Sequence, residues 1–454
     1  MEKTIAAIST PLGMGGIGVI RISGEKAIQI ADNVFRGISG KKLCEMKGYT
    51  AAYGKVYDND EPLDEVVAVV FRNPHSYTGE DVVEISCHGG VYITSRVLRC
   101  ILDNGASLAE PGEFTKRAFL NGKIDLTESE AVMDMISAKG KAAARSALGI
   151  REGKLRKNID EVKNLLVDSA AHLSAWTDYP EDDIPEVSNE TLLNDLHAAC
   201  SKLESLINSF ETGKALKEGI DTLIVGKPNV GKSTLMNFLA GFDKSIVTEI
   251  PGTTRDIIQE TVVLGNAVLL LSDTAGLRDT DNPIEKIGVE RAKEKLNSCG
   301  LVLAVFDGSR MLDDDDINTI KLLGDTPSIA IINKSDLDLV LDINYIKTYI
   351  NDIVYISASK GEGLDELIST VEKVTGTHNI DENAVMLSNE RQRECTVNAV
   401  NSLKDGIAAL ENGFTLDAVT VSVEEAIQFL LELTGENVSE VVVHSVFSKF
   451  CVGK

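Results

Sequence analysis

The stretch "GKPNVGKS", Gly226 to Ser233, is the strongest indication of the fold in the central part of this 454-residue chain. It matches the pattern G-x-x-x-x-G-K-S, follows the apolar run "DTLIVG" and precedes a helical pattern. In such a loop the backbone amides bind phosphates, the lysine reaches the outer phosphates and the serine hydroxyl binds magnesium. The stretch therefore predicts a phosphate-binding loop between a strand and a helix.

Residues 219 to about 376 alternate short β-rich runs with helical patterns. The runs are "DTLIVG", "VLLLSD", "LVLAVFD", "SIAIIN" and "IVYISA". Strands that alternate with helices are typical of βαβ units, because two parallel strands need a long crossover connection between them. We therefore predict an α/β domain with a mostly parallel sheet, spanning residues 216–378.

Three further motifs follow predicted strands of this domain. "DTAG", residues 273–276, places a carboxylate where it can reach a metal through water and a glycine amide where it can sense a terminal phosphate. "NKSD", residues 333–336, resembles the guanine-reading motif of GTPases, in which the aspartate accepts hydrogen bonds from N–H groups that adenine does not present. "SAS", residues 357–359, resembles the loop that lies behind the guanine. Four motifs in this order predict a GTPase.

The residue after "DTAG" is Leu277, where Ras-like enzymes carry a glutamine that positions the attacking water. A leucine side chain cannot orient water. Two alternatives therefore stay open: the protein is a slow switch, or catalytic groups come from elsewhere in the chain, from an ion or from a partner.

Regions of different character flank the α/β domain. Residues 1–120 mix glycine-rich turns, alternating apolar runs and short helical patterns, which predicts an α+β domain. Residues 121–215 and 379–454 carry helical periodicity, with capping boxes expected at Thr127–Glu130 and Ser422–Glu425. We therefore predict an all-α domain that the α/β domain interrupts, an insertion that is tolerated when the inserted domain's termini lie close together.

The composition limits the kinds of partner. The formal net charge of −25 repels polyanions at long range, so any nucleic-acid contact must be local or supplied by a partner. The stretch "AKGKAAARSALGIREGKLRKN", residues 138–158, is the exception, and it is either a solvated helix face or a nucleic-acid-binding patch. Seven cysteines without a C-x-x-C pair indicate a reducing, cytoplasmic environment, and no apolar run is long enough to predict a membrane span.

Several short stretches together resemble one family. They are "RISG", "TGEDVVE", "HGG", "PGEFTKRAFLNGKIDL", "PGTTRD" (Pro251 to Asp256), the motifs above with Leu277, and the terminal "CVGK". In this order they are similar to the MnmE (TrmE) family of tRNA-modification GTPases, over essentially the whole chain. The resemblance implies an N-terminal domain that binds a formyl- or methylene-tetrahydrofolate and forms a homodimer, a helical domain, and an inserted Ras-like P-loop GTPase domain.

The resemblance also implies partners and cofactors. Members of the family act with the flavoprotein MnmG in a heterotetramer and build aminomethyl or carboxymethylaminomethyl groups on the wobble uridine of certain tRNAs. MnmG brings FAD, uses NADH and makes most of the tRNA contact. Hydrolysis of GTP is expected to depend on potassium and magnesium ions and on pairing of two GTPase domains.

The motifs and the resemblance together assign the site residues. GTP binding is assigned to Asn229, Val230, Gly231, Lys232, Ser233, Thr234, Thr248, Glu249, Ile250, Pro251, Gly252, Thr253, Thr254, Asp273, Thr274, Ala275, Gly276, Asn333, Lys334, Ser335, Asp336, Ser357, Ala358 and Ser359. Potassium is assigned to Asn229, Thr248, Ile250 and Thr253, and magnesium to Ser233 and Thr254. Glu285 is expected to position the attacking water, and folate binding is assigned to Arg21, Glu84, Lys123 and Lys454. Cys451 is either a nucleophile near the one-carbon unit or a packing thiol.

Two other readings remain. A ribosome-assembly GTPase of the Era type would account for "PGTTRD" and Leu277, but it would normally carry a basic RNA-binding module, and none follows residue 376. A lipid-anchored signalling GTPase would use Cys451 for prenylation. Gly453 and Lys454 are poor residues for the end of a prenylation box, so the sequence disfavours a lipid-anchored GTPase.

Overall fold

The computed structural model describes residues 3–178, 188–242, 260–273, 296, 299–324, 326–378 and 385–454. The chain divides into two compact units. The first unit consists of Met1–Met133, Arg156–Lys163 and Glu424–Lys454, and the second of Asp134–Leu155 and Asn164–Val423. In the described part of the chain, every helix is too short or too polar to cross a bilayer.

The first unit contains a seven-stranded sheet. Its strands are β1 Ile5–Ile8, β2 Ile17–Ser23, β3 Phe35–Gly37, β4 Thr50–Asp58, β5 Glu61–Phe71, β6 Val82–His88 and β7 Ser107–Leu108. The spatial order is β3-β4-β5-β6-β2-β1-β7, and all neighbours are antiparallel except β1 and β7. The pairing of β2 with β6 sets Arg21 directly opposite Glu84.

Three helices accompany this sheet: α1 Ala27–Val34, α2 Val91–Asp103 and α3 Glu113–Leu120. The apolar sides of α1 and α2 form one core with alternate residues of the strands, such as Ile20, Ile22 and Ile85. Side chains alternate along a strand, so Arg21 and Glu84 lie on the other face of the sheet. The predicted α+β domain at the N-terminus is confirmed.

Five helices follow in the chain: α4 Leu126–Ser137, α5 Lys141–Arg151, α6 Lys154–Asp178, α7 Asn189–Asn208 and α8 Phe210–Glu218. The expected capping box at Thr127–Glu130 was wrong. The reciprocal cap of α4 joins Asp125 to Glu128, because the Asp125 carboxylate accepts from the Glu128 amide at 2.7 Å and the Glu128 carboxylate accepts from the Asp125 amide at 3.0 Å.

The second unit contains a six-stranded sheet. Its strands are β8 Ile220–Val225, β9 Glu260–Leu264, β10 Ala267–Asp273, β11 Leu301–Asp307, β12 Ser328–Asn333 and β13 Asp352–Tyr355. The order is β13-β12-β11-β8-β10-β9, parallel throughout except for β9 with β10. The described helices between the strands are α9 Lys232–Phe242, α10 Asp314–Leu322 and α11 Ile343–Lys347, and α12 Leu364–Val374 follows the last strand.

Strand β11 shows why this sheet has layers on both faces. All seven of its residues are buried, and Leu303 and Val305 join one core while Val302 and Phe306 join the other. A strand buried on both sides is apolar throughout, unlike the half-exposed strands of the first unit. The predicted α/β domain with a mostly parallel sheet is therefore confirmed.

The last helices are α13 Glu390–Glu411, α14 Leu416–Thr434 and α15 Glu440–Phe447. Helix α13 packs against α7, with an ion pair of 2.7 Å between Lys404 and Glu204, so helices on the two sides of the α/β domain do meet as predicted. Ser422 lies inside α14, and its hydroxyl donates to the Ala418 carbonyl, so the expected capping box there was wrong.

Candidate nucleotide-binding site

The phosphate-binding loop connects β8 to α9 at the carboxyl edge of the second sheet. Its backbone is left-handed at Asn229, with φ of 63°, and at Gly231, with φ of 100°. A Cβ on Gly231 would collide with the Asn333 side chain, so this position accepts only glycine without rearrangement. The loop is thereby held close to the segment that follows β12.

Lys232 is oriented by carbonyls of its own loop. Its Nζ donates to the Gly226 oxygen at 3.0 Å and to the Lys227 oxygen at 2.7 Å. These contacts hold the ammonium over the loop that binds phosphates, where a cation is required.

Lys227 ties the loop to the start of α10. Its side chain is 6% exposed and forms ion pairs with Asp313 and, at 3.3 Å, with Asp316. Asp313 also caps α10 by accepting from the Asp316 amide at 3.3 Å. An ammonium this deeply buried needs both carboxylates, because an unpaired charge in the interior is costly.

Asn333 joins three segments of the site. Its side-chain amide donates to the Val230 carbonyl at 2.8 Å, and its side-chain oxygen accepts from the backbone amides of Lys334 at 2.8 Å and Ala358 at 3.1 Å. The side chain is buried and its hydrogen-bonding capacity is largely used inside the protein. Asn333 therefore sets the distance between the phosphate loop and the predicted base-reading loops.

Asp336 has the environment expected of a base-reading carboxylate. One oxygen accepts from the Ser357 hydroxyl at 2.7 Å, and the other lies 3.5 Å from the Lys360 ammonium. The Ser357 hydrogen bond is the main cause that lowers the pKa of Asp336 below its ordinary value, and Lys360 acts in the same direction. The carboxylate is thus kept charged, and a charged acceptor binds N–H donors more strongly than a neutral one.

Lys334 is held by Asp307, a residue that the sequence analysis did not single out. Its Nζ lies 2.5 Å from the Asp307 carboxylate, which also accepts from the Ser309 hydroxyl at 2.7 Å. Burial acts to raise the pKa of Asp307, but the hydrogen bonds from Lys334 and Ser309 outweigh it, and the pKa lies below its ordinary value. The position of Asp307 at the end of an apolar strand was the signal that could have identified it.

These segments surround one cavity of about 500 Å³. Its lining residues are Asn229, Gly231, Lys232, Ser233, Thr234, Asn333, Lys334, Asp336, Leu337 and Ser359. Three of the four predicted motifs therefore meet at one place. It lies at the carboxyl ends of the parallel strands, where ligands bind to sheets of this kind. Leu337 was missed, although its position directly after "NKSD" placed it beside the base-reading loop.

Part of the predicted site lies outside the described residues. The residues concerned are Thr248, Glu249, Ile250, Pro251, Gly252, Thr253, Thr254, Thr274, Ala275, Gly276 and Glu285. Asp273 ends β10, at the same edge of the sheet as the loop after β8. Val230 is buried beneath the phosphate loop, and Ser335 donates its amide to the Ile356 carbonyl at 3.0 Å.

A second group of predicted residues meets in the first unit. Arg21 forms an ion pair of 2.8 Å with Glu84, its neighbour across the strands. The Arg21 guanidinium also lies 5.0 Å from the ring centre of Tyr77 and 5.6 Å from that of Phe114. The aromatic rings and the carboxylate hold the guanidinium in one orientation.

The C-terminal tail reaches this group. The Gly453 carbonyl accepts from the Ser9 hydroxyl at 3.1 Å and from the Arg21 guanidinium at 3.4 Å. Gly453 has a φ of 95°, and a Cβ there would lie 2.8 Å from the Ser9 Cα. Cys451 is exposed, and its carbonyl accepts from the Gly112 amide at 3.4 Å.

Lys454 lies within electrostatic reach of the same group. Burial is the main cause that lowers the pKa of Lys454, and repulsion by Arg21 lowers it further, whereas Glu84 acts in the opposite direction. Lys123 is placed differently, because its Nζ donates to the Pro74 carbonyl at 3.1 Å. The structure thus brings Arg21, Glu84 and the tail together, whereas Lys123 is hydrogen-bonded to the loop that carries Pro74.

The six-stranded sheet, the phosphate loop and the aspartate of "NKSD" define a P-loop protein of the GTPase class. Two family models cover almost the whole chain: the GTP-binding protein TrmE N-terminus matches residues 4–123, and the MnmE helical domain matches residues 126–451. Curated relatives named tRNA modification GTPase MnmE include one from Acetivibrio thermocellus, 42% identical over 100% of this chain and 99% of the relative, and one from Clostridioides difficile, 42% identical over 100% of both. The chain belongs to the MnmE family of tRNA modification GTPases.

Several solved structures match part of the chain. A point variant of Era from Aquifex aeolicus, bound to GDP.AlF4-, is 29% identical over 40% of this chain and 66% of that chain, with a TM-score of 0.28. The family membership favours the tRNA-modification reading over an Era-type switch, because the relatives match over the full length.

Proposed function

We propose that this chain hydrolyses GTP as a subunit of a complex that adds carboxymethylaminomethyl or aminomethyl groups to the wobble uridine of tRNA. The observation that carries the proposal is the cavity of about 500 Å³ in which the phosphate loop, "NKSD" and "SAS" meet. Family membership supports tRNA as the substrate. The proposed partner is the flavoprotein MnmG, which brings FAD and uses NADH in a heterotetramer and makes most of the tRNA contact.

The proposed domains follow the sequence analysis. Residues 1–120 bind the tetrahydrofolate derivative and form the dimer, residues 216–378 form the GTPase domain, and residues 121–215 with 379–454 form the helical domain. The match of one family model to residues 4–123 and of another to residues 126–451 supports this division. All seven cysteines are free thiols, which supports a place in the cytoplasm.

Hydrolysis is proposed to use residues around the cavity in separate roles. Asp336 reads the guanine, Lys232 and the loop amides bind the phosphates, and Glu285 positions the attacking water. Ser233 with Thr254 would hold magnesium. Ser233 lines the cavity, and a hydroxyl oxygen beside phosphates suits that ion.

Potassium is proposed to bind at Asn229 and at the main chain of Thr248, Ile250 and Thr253. Asn229 lines the cavity in a left-handed conformation, which supports a role at the phosphates rather than in the core. Bound cations supply charge that neutralises the developing negative charge of phosphoryl transfer. We expect GTP turnover to fall severely when sodium replaces potassium, and equal rates in the two salts would reject this assignment.

A homodimer is proposed through the first unit. Leu12, Met14, Ile17 and Tyr92 expose 68%, 100%, 66% and 71% of their surface. The segment that carries Leu12, Met14 and Ile17 is hydrogen-bonded to the segment that precedes Tyr92, because the Gly15 amide donates to the Gly89 carbonyl at 3.2 Å. Exposed apolar side chains that cluster in this way are typical of an association surface.

The tetrahydrofolate derivative is proposed to bind at Arg21, Glu84, Lys123 and Lys454. Glu84 suits the donor edge of a pterin, and the cations suit an anionic glutamate tail. The Arg21–Glu84 pair and Lys454, which lies within electrostatic reach of both, fit such a ligand, and Tyr77 offers an aromatic surface beside Arg21. The bound folate supplies the one-carbon unit, and this chain's residues bind and orient it.

The test of the proposed function is the wobble uridine of tRNA from cells that lack this chain. Mass spectrometry of nucleosides should show loss of the modification, and the full chain should restore it. A chain without residues 451–454 should fail to restore it while its purified form still hydrolyses GTP, because none of the described residues that line the cavity comes from the tail. Unchanged modification in cells that lack the chain would reject the function.

A further inference from the structure

We propose that the exposed cations at the start of α5, Lys139, Lys141 and Arg145, bind the phosphate backbone of tRNA directly. This inference rests on the proposed function and adds a contact on this chain to those that the partner makes. Residues 139–157 contain seven basic residues and one acidic residue, in a chain with 45 basic and 70 acidic residues. Lys139, Lys141 and Arg145 are called the basic surface below. The charge balance around it is therefore opposite to that of the whole chain, which is acidic.

The geometry of α5 turns these cations outward. Ala143, Ala147 and Ile150 are buried, and Lys141 and Arg145 are exposed on the opposite side of the helix. The two side chains are four residues apart, or about 6 Å along the helix axis, so they point the same way. Their neighbours in "KAAARS" are small, which leaves the first turns of the helix open to a phosphate backbone.

The basic surface is anchored against the nucleotide-binding part of the second unit. Gly140, directly before α5, lies beside Val268 of β10, since a Cβ on the glycine would be 3.2 Å from the valine methyl. The Lys139 Nζ donates to the Glu218 carbonyl at 3.4 Å, at the end of α8. Helix α8 packs against α5 and leads through Gly219 into β8, which ends at the phosphate loop. A fixed cluster of cations loses less entropy on binding than cations on a free loop.

Charge explains why such a surface is needed. A chain with a net charge of −25 repels RNA, so contact requires local cations that replace the counterions of the phosphates. Each phosphate contact contributes about 0.7 to 0.9 to the slope of log K against log salt. Loss of three contacts should therefore reduce that slope by roughly 2 to 3.

The experiment uses the full chain and an unmodified tRNA transcript. The variant Lys139→Gln, Lys141→Gln, Arg145→Gln is compared with Lys202→Gln, Lys321→Gln, Lys347→Gln, which removes three exposed cations elsewhere in the same unit. Binding is measured by filter retention or fluorescence anisotropy between about 50 and 300 mM salt. We expect the first variant to lose roughly 100-fold in affinity at about 0.1 M salt, with the reduced slope, and the control to lose much less.

The outcomes separate this inference from the proposed function. Basal GTP hydrolysis and the melting temperature should be unchanged in both variants. Binding equal to that of the parent, an equal loss in the control, or no tRNA binding by the parent chain would each overturn the inference and leave the basic surface a solvated helix face. None of these results depends on whether cells that lack the chain keep their wobble modification, which tests the proposed function alone.

Discussion

The nucleotide cavity and the group around Arg21 are built in opposite ways. The cavity is lined by short, continuous motifs whose backbone contributes as much as their side chains, such as the loop after β8 and the segment from Asn333 to Leu337. The group around Arg21 is assembled from single side chains far apart in sequence, and the Arg21 guanidinium reaches a carbonyl 432 residues away, at Gly453. Local sequence can encode the first kind of site, whereas only the whole topology produces the second.

The difference also appears in how each site is held. Asn333 ties loops together through backbone groups, so the cavity depends on glycines and on buried amide contacts. Arg21 is held by a carboxylate and two aromatic rings from separate elements. A substitution at one site should therefore leave the other intact, and the prediction for Gly453 below tests that independence.

The largest effect is expected from Asp336→Asn. The variant loses a charged acceptor for two N–H donors of guanine, and each charge-assisted bond contributes about 1.5 to 3 kcal/mol. GTP affinity should fall roughly 1,000-fold, which corresponds to about 4 kcal/mol. A fluorescent GTP analogue measures the affinity, and Asp338→Asn, an exposed acid in the same loop, is the control. A loss below tenfold would show that Asp336 does not read the base.

The second prediction concerns the buried ion pairs of Lys227. Lys227→Met leaves the Asp316 carboxylate, which is 4% exposed, without its cation. Removing one partner of a buried pair costs about 3 to 5 kcal/mol. Hydrogen exchange of peptides from β8 and α10 should become at least roughly 100-fold faster, because the local opening free energy falls. The exposed Lys321→Met on α10 should leave exchange unchanged, and equal protection in the two variants would contradict the pairing.

The sequence predicted most of the residues that line the nucleotide cavity, because each motif is a short continuous stretch whose residue types indicate its role. It could not predict that Asn333 would donate to Val230, since those residues are 103 positions apart and meet only when β8, β11 and β12 are neighbours. The start of α4 was misplaced because Thr127 and Asp125 both have side chains that cap helices, and only the structure shows which one does. Lys454 was placed near Arg21 by resemblance alone, because no local pattern joins the two ends of a chain.

The third prediction tests the tail. Gly453→Ala forces a Cβ against Ile8 and Ser9 in a left-handed backbone, so the tail should leave its position. Carboxypeptidase should then release Lys454 roughly tenfold faster, an effect of about 1.4 kcal/mol on docking. Gly413→Ala is the matched control, because Gly413 also has a positive φ of 71° but has no atom within 4 Å of the new Cβ. GTP affinity should stay at the parent value, and a drop in it would contradict the independence of the two sites.

The smallest expected effect is a shift in the pKa of Lys454. The docked tail holds Lys454 where burial and Arg21 lower its pKa from the ordinary value of 10.5. A lowered pKa means that docking releases a proton, so docking is weakest where the amine is charged and strengthens as the pH rises through the folded pKa towards 10.5. NMR of chains labelled with ¹³C at the lysine ε carbon should give Lys454 a midpoint below 10.5, with Lys454→Arg used to assign the signal. Arg21→Met should move that midpoint upward, because it removes the repelling cation and frees Glu84, which attracts the ammonium. A midpoint at or above 10.5 that Arg21→Met does not change would place Lys454 in solvent and separate the tail from the group around Arg21.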